Sequence, residues 1–289
     1  MSDERLAVRK TYKLYIGGAF PRSESGRSYV VVGSDGAFLA NAALGSRKDV
    51  RDAVVAARKA QPRWAGATAY NRGQVLYRVA EMLDSRRSQF AEAVASSEGT
   101  SQEEAAASVD AAVDRWVWYA GWSDKVAQVA GSSNPVAGPF FNFSVPEPTG
   151  VVGVVAPQAS SLLGLVSVLA PVLLTGNTAV VIASETRPLP AVTLAEVLAT
   201  SDLSGGVVNL ITGRVAELAP VLAAHRDVDA LDLAGAPASL LVELERAAVT
   251  NVKRVLRPGA AESDWTEAPT PRRMLAFLET KTVWHPVGL

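Results

Sequence analysis

The sequence predicts an α/β fold: a parallel sheet with helices covering both of its faces. Three observations lead there. From Gly150 onward, short runs of apolar residues alternate with longer apolar stretches of helical length. The short runs are mostly apolar, interrupted only by Asn209 and Asp232 and without a polar residue at every second position, which is the mark of strands buried on both sides. Hydrophobic residues make up 48% of the 289-residue chain and charged residues 20%, enough apolar material for a substantial core.

The elements follow in order. Lys13–Phe20 reads as a short strand turning at Gly17-Gly18. Ser28–Val32 is a second strand, ended by the turn Gly33-Ser34-Asp35-Gly36. Helices then take over. Ser46 with Asp49 three residues later has the spacing of a capping box, and Val50, Val54 and Ala57 form a stripe behind it. Val75, Leu76, Val79, Ala80 and Leu83 line one face of the next helix. Ser101 with Glu104 offers another capping box ahead of Val109, Val113, Trp116 and Val117. Between Ala137 and Pro148, aromatic and β-branched residues sit among Gly138, Pro139 and Pro146, which predicts an extended ribbon. Strands are expected at Val151–Ala156, Ala179–Ile182, Val207–Ile211 and Ala230–Leu233, with helices through Ser161–Leu174, Pro190–Ala199 and Ala216–Ala223.

Composition excludes several classes of function. Net charge is −1 and the pI about 6.2, so nothing supplies the basic footprint of a nucleic-acid-binding protein. Cysteine is absent from the chain, which removes disulfides, iron–sulfur clusters and thiolate zinc sites together. His225 and His285, far apart in sequence, make a histidine metal centre an unfavourable expectation. The start, Met1–Arg5, is polar and charged, unlike a signal peptide. The longest apolar stretch, Leu162–Leu174, falls short of the ~20 residues a membrane span needs. A soluble, cytoplasmic protein without membrane contact is the expectation.

A set of landmarks then falls into a familiar order. They are Tyr15-Ile16-Gly17-Gly18, Trp64 with Arg72 and Leu76, Trp118-Tyr119-Ala120-Gly121, and Glu147 to Pro157. Leu169-Ala170-Pro171, Gly176-Asn177-Thr178, Gly206 to Gly213 and Val228-Asp229 complete the series. Collinear from about Leu14 to Val255, these resemble the aldehyde dehydrogenase superfamily. The resemblance implies a Rossmann-like, dinucleotide-binding sheet, an oligomerisation ribbon and a C-terminal strand. It also implies a catalytic domain whose cysteine thiolate attacks the aldehyde, and this chain has no thiol to ionise.

Other functional positions depart from the family pattern as well. Where the family places Trp-Asn after Ala156-Pro157, with the asparagine helping to hold the oxyanion, this chain has Gln158-Ala159. Loss of one such donor costs an enzyme about 3–4 kcal/mol of transition-state stabilisation. The lysine and glutamate that hold the adenine ribose correspond to Ile182 and Glu185, so only the acceptor is kept. The pyrophosphate turn becomes Leu233-Ala234-Gly235-Ala236-Pro237, with the glycine retained, the hydroxyl lost and a proline that offers no N–H. The resemblance thus leaves Pro157, Glu185 and Gly235 as vestigial cofactor contacts, with no cofactor expected, or NAD or NADP held weakly. No catalytic residue is expected. Ser160-Ser161 lies near the old oxyanion position but lacks a Gly-x-Ser-x-Gly elbow and reads as a helix cap.

Past Val252–Gly259 the chain runs through a short link, Ala260–Pro269, to Arg272–Phe277 and Lys281–Trp284, which are similar to the family's C-terminal end. The catalytic domain is therefore expected to be absent. Residues 1–136 and 149–260 should form the dinucleotide-binding-like domain, and 137–148 with 270–289 the oligomerisation ribbon and tail. Double-domain members of the family carry a shortened second domain without the nucleophile, and this chain resembles one made separately. Such a pseudoenzyme is expected to serve as a structural or regulatory subunit of a full-length aldehyde dehydrogenase, in a hetero-oligomer, or to form a homo-oligomer. The alternative expectation is a weak NAD(P)-binding oxidoreductase that uses the retained cofactor fold.

Overall fold

The structure, a computed structural model, describes residues 10–259 and 263–288. The Met1–Arg5 start and the first residues of the link, 260–262, lie outside the described residues.

An antiparallel hairpin, β1 (Ser28–Val32) and β2 (Phe38–Ala43), precedes four long helices. These are α1 (Arg47–Ala65), α2 (Ala69–Asp84), α3 (Arg87–Glu98) and α4 (Gln102–Trp122). Both expected capping boxes form: Ser46 with Asp49 opens α1, and Ser101 with Glu104 opens α4. A short helix, α5 (Val126–Ala130), leads to β3 (Ser132–Asn134) and β4 (Phe140–Pro148).

The central sheet is then laid down as β5 (Val151–Val155), α6 (Leu163–Leu174), β6 (Thr178–Ile182), α7 (Leu189–Ala199) and β7 (Val208–Ile211). After it come α8 (Val215–Ala224), β8 (Ala230–Asp232), α9 (Ala238–Ala248) and β9 (Arg254–Leu256). All five strands are parallel, in the order β7-β6-β5-β8-β9. The chain closes with α10 (Arg272–Ala276) and β10 (Leu278–Pro286), and β10 pairs antiparallel with β4.

Two apolar layers sandwich the sheet, as the continuous hydrophobic strands require. On one face α1, α8 and α9 pack through Val50, Val54, Leu218, Leu222 and Leu244. On the other, α6 and α7 lie against the sheet and are covered in turn by α2, α3 and α4. Every residue of α6 is buried, which explains why the segment is apolar on all sides and still too short for a membrane. Among the described residues no helix is long and apolar enough to cross one.

The structure adds β2, α3, α5 and β3, which the sequence reading does not single out, and differs from it at several further places. The segment expected as a strand at Lys13–Phe20 makes isolated bridges instead: Tyr15 exchanges backbone hydrogen bonds with Leu210, and Ile16 with Ala19. Tyr15 and Gly17 thereby cover the outer edge of β7, the Gly17 N–H donating to Asn209 Oδ1 at 2.9 Å. β9 was not expected; its three residues extend the sheet beyond β8. Helix α9 was not singled out either. The tail forms a nine-residue strand already paired within its own chain along all of β4.

Candidate functional site

The chain builds β5, β6 and β7 outward on one side, then returns to place β8 and β9 on the other. That reversal makes the gap beyond the carboxyl ends of β5 and β8 the switch point, where sheets of this kind take their ligands. Pro157 follows β5 and Gly235 follows β8, so the structure brings these two predicted residues together. The Gly235 N–H donates to Val155 O at 2.9 Å, and a Cβ at this position would run into the Ala156 carbonyl. The glycine is required by the close approach of two backbones. Pro157, Gln158, Gly235, Leu241, Pro258 and Trp265 are among the residues that line a cavity of about 330 Å³ here.

Glu185 is placed elsewhere. It follows β6, and its carboxylate accepts the Val215 N–H at 2.9 Å, capping the first turn of α8. Its own N–H donates to Gln158 Oε1 at 2.9 Å, and its carbonyl accepts the Tyr29 hydroxyl at 3.0 Å. Burial, and then the proximity of Glu185, push the Tyr29 hydroxyl well above its ordinary pKa. Glu185 lines a separate cavity with Tyr29, Gly33, Ser97 and Arg187 rather than the crevice of Pro157 and Gly235.

Gln158 turns out to be a brace. Its Nε2 donates to Ala156 O at 2.7 Å while its Oε1 takes the Glu185 N–H, tying the ends of β5 and β6 together. Ser184 Oγ adds a bond to Gln158 O at 2.9 Å. Ser160 and Ser161 are spent locally: Ser160 Oγ accepts the Gly164 N–H at 2.9 Å, and Ser161 Oγ donates to Glu98 Oε1 at 2.6 Å. His225 ends α8, where burial lowers its pKa, and its Nδ1 accepts the Asp227 N–H at 3.2 Å. His285 stands exposed on β10. Among the described residues no group of side chains is set to hold a metal ion.

These side chains fit a dinucleotide poorly. The retained acceptor, Glu185, is engaged by α8, and Ile182 is fully buried with no polar atom to offer. Pro237, the N-cap of α9, has no N–H and makes no side-chain cap, so the helix end nearest Gly235 has one backbone donor fewer. Ala159 gives no side-chain donor toward an oxyanion.

The part of the site that sequence reasoning missed is the wall built after β9. Asp232, at the end of β8, is fully buried; its Oδ1 accepts the Ala234 N–H at 3.0 Å, and its Oδ2 pairs with Arg273 of α10 at 2.5 Å. Burial pushes the Asp232 carboxyl up, and Arg273 opposes that rise. The Arg273 guanidinium also lies over the Trp265 ring, 5.1 Å from its centre. From the opposite side Arg115 of α4 donates to Trp265 O at 2.9 Å and Glu267 O at 2.8 Å. Two arginines from distant helices thus hold the link against the crevice. The only sequence signal is a lone tryptophan in a link of small and polar residues.

Comparison with known proteins agrees with this architecture. The aldehyde dehydrogenase family matches over residues 20–259. The cytosolic 10-formyltetrahydrofolate dehydrogenase of Pongo abelii is 30% identical over 263 residues, covering 88% of this chain and 29% of that protein. The mitochondrial benzaldehyde dehydrogenase of Antirrhinum majus is 30% identical over 247 residues, covering 84% of this chain and 46% of that protein. Among solved structures, an aldehyde dehydrogenase from Bacillus cereus in complex with NAD+ superposes with a TM-score of 0.80 at 26% identity, covering 85% of this chain and 50% of that one. HpcC from Thermus thermophilus gives a TM-score of 0.80 at 30% identity, covering 85% and 47%. The chain spans half or less of each of these relatives. Sheet order, switch-point crevice and matched residues converge: this chain belongs to the aldehyde dehydrogenase family.

Proposed function

We propose that the chain is a non-catalytic subunit that assembles with a full-length aldehyde dehydrogenase through the sheet β3-β4-β10. The observation that carries this reading is the outer edge of β10, which has no partner strand among the described residues. Pro146 and Pro148 of β4 stand opposite Thr280 and Leu278. A proline has no N–H to give, so these are the non-hydrogen-bonded pairs of the ladder. By alternation Thr282 and Trp284 belong to the same class, and Pro286, opposite Phe140, agrees. The backbone groups of Thr280, Thr282 and Trp284 therefore face outward, ready for a further strand. Phe140, Phe141 and Trp284, each 42–59% exposed, put apolar surface beside that edge. The absence of any cysteine supports the non-catalytic half of the reading.

Replacing Thr282 with proline tests it. The substitution removes an outward N–H and leaves the internal ladder intact, so the variant should fold and lose its partner. Val283→Pro, at a hydrogen-bonded position, should disturb the fold itself. If T282P co-purifies with an aldehyde dehydrogenase as the parent chain does, the edge is not the interface. Truncating the tail is the cruder test, because it also uncovers β4.

Dinucleotide binding is the competing reading, favoured by the switch-point crevice between Pro157 and Gly235. The engagement of Glu185 by α8 weighs against it. Titration calorimetry with NAD and NADP separates the two readings.

A further inference from the structure

A further cavity, of about 530 Å³, lies between α4, residues 263–270 and α10, within the size range of small-molecule sites. Its floor is Arg115, only 7% exposed. The Arg115 guanidinium donates to Ser167 Oγ at 2.9 Å and to the carbonyls of Trp265 and Glu267, all neutral acceptors. No carboxylate pairs with it among the described residues. Its neighbours Arg273 and Arg257 differ, being paired with Asp232 and Glu245. Arginine does not give up its proton when buried, so burial without a counter-charge leaves a standing electrostatic cost. An anion entering the cavity would relieve it, and the guanidinium keeps unused donors for the purpose.

The rest of the wall narrows the class of anion. Arg272 adds an exposed cation with no ion pair among the described residues. Asp264 and Glu267 stand exposed at the rim and disfavour ligands of high negative charge. Tyr119, Trp265, Val255 and Leu256 supply an apolar and aromatic lining. We propose that this cavity binds a small monoanionic carboxylate with an apolar body, its carboxylate on Arg115 and its body against Trp265 and Tyr119.

The test is calorimetric titration of the full chain with sodium benzoate, against benzyl alcohol and against sodium chloride at equal ionic strength. Saturable binding of benzoate alone is expected. Arg115→Gln should weaken it about tenfold or more, the loss of a charge-assisted pair. Arg272→Ala, an exposed change that leaves the core untouched, should weaken it several-fold. If R115Q fails to fold, as a thermal melt will show, R272A decides alone. Benzoate heats no larger than those of chloride, equal binding of benzyl alcohol, or unchanged affinity in the folded arginine variants would overturn the proposal.

Discussion

Replacing Glu185 with alanine should lower stability by about 1–2 kcal/mol and leave NAD affinity where it was. The figure comes from what the side chain touches. Its carboxylate accepts the Val215 N–H at 2.9 Å, and the N-cap residue of α8, Arg214, makes no side-chain cap of its own. Losing an N-terminal cap costs about 1 kcal/mol, and losing a negative charge at the positive end of a helix about 0.3–1 more. In a chain of this size each kcal/mol shifts the melting temperature by roughly 2–4 °C. Thermal and urea melts of the parent, E185A and E185Q measure the effect, with calorimetry against NAD on the same samples. Glutamine keeps an acceptor oxygen, so E185Q should recover most of the loss. The reasoning fails if E185A melts like the parent while an NAD-dependent rise in melting temperature is present in the parent and gone in the variant. That result would make Glu185 a ribose contact rather than a cap.

Three other outcomes are expected. Gly235→Ala should cost about 3 kcal/mol or abolish soluble expression, because the new methyl meets the Ala156 carbonyl; a urea melt like the parent's would contradict the close approach. Arg273→Leu should cost about 3 kcal/mol at neutral pH, since it strands the buried Asp232 carboxylate, and adding Asp232→Asn should recover much of it in a double-mutant cycle. Removing Arg273 takes away the group that opposes the upward shift of Asp232, so the R273L penalty is full above the folded pKa of Asp232 and shrinks as pH falls through it; a pH-independent penalty would point to packing alone. Leu169→Ala in the fully buried α6 should cost about 3 kcal/mol, read by the same melts.

Much of the fold was legible because its signals are local. The two capping boxes need only residues three apart, and β5, β6, β7 and β8 announce themselves as apolar runs between helices. β9 gave no such signal: Arg254–Leu256 is three residues long, and its neighbours are Lys253, Arg257 and Pro258. β10 is mostly polar and exposed, so its length follows from pairing with β4 more than 130 residues earlier in the chain. The candidate site shows the same division. The positions of Pro157 and Gly235 follow from strand order, but the capping of α8 by Glu185 joins residues thirty apart, and the brace made by Gln158 depends on where β6 ends. The arginine clamp on Trp265 joins α4, the link and α10 across 150 residues.

The central claim, that a non-catalytic chain joins a full-length aldehyde dehydrogenase through the edge of β10, is tested most directly by native mass spectrometry. The tagged chain would be isolated gently from its own cells, in parent and T282P forms. A complex of fixed stoichiometry containing a full-length aldehyde dehydrogenase, present for the parent and lost for T282P, is the expected result. A chain that emerges alone, or as copies of itself, would contradict it.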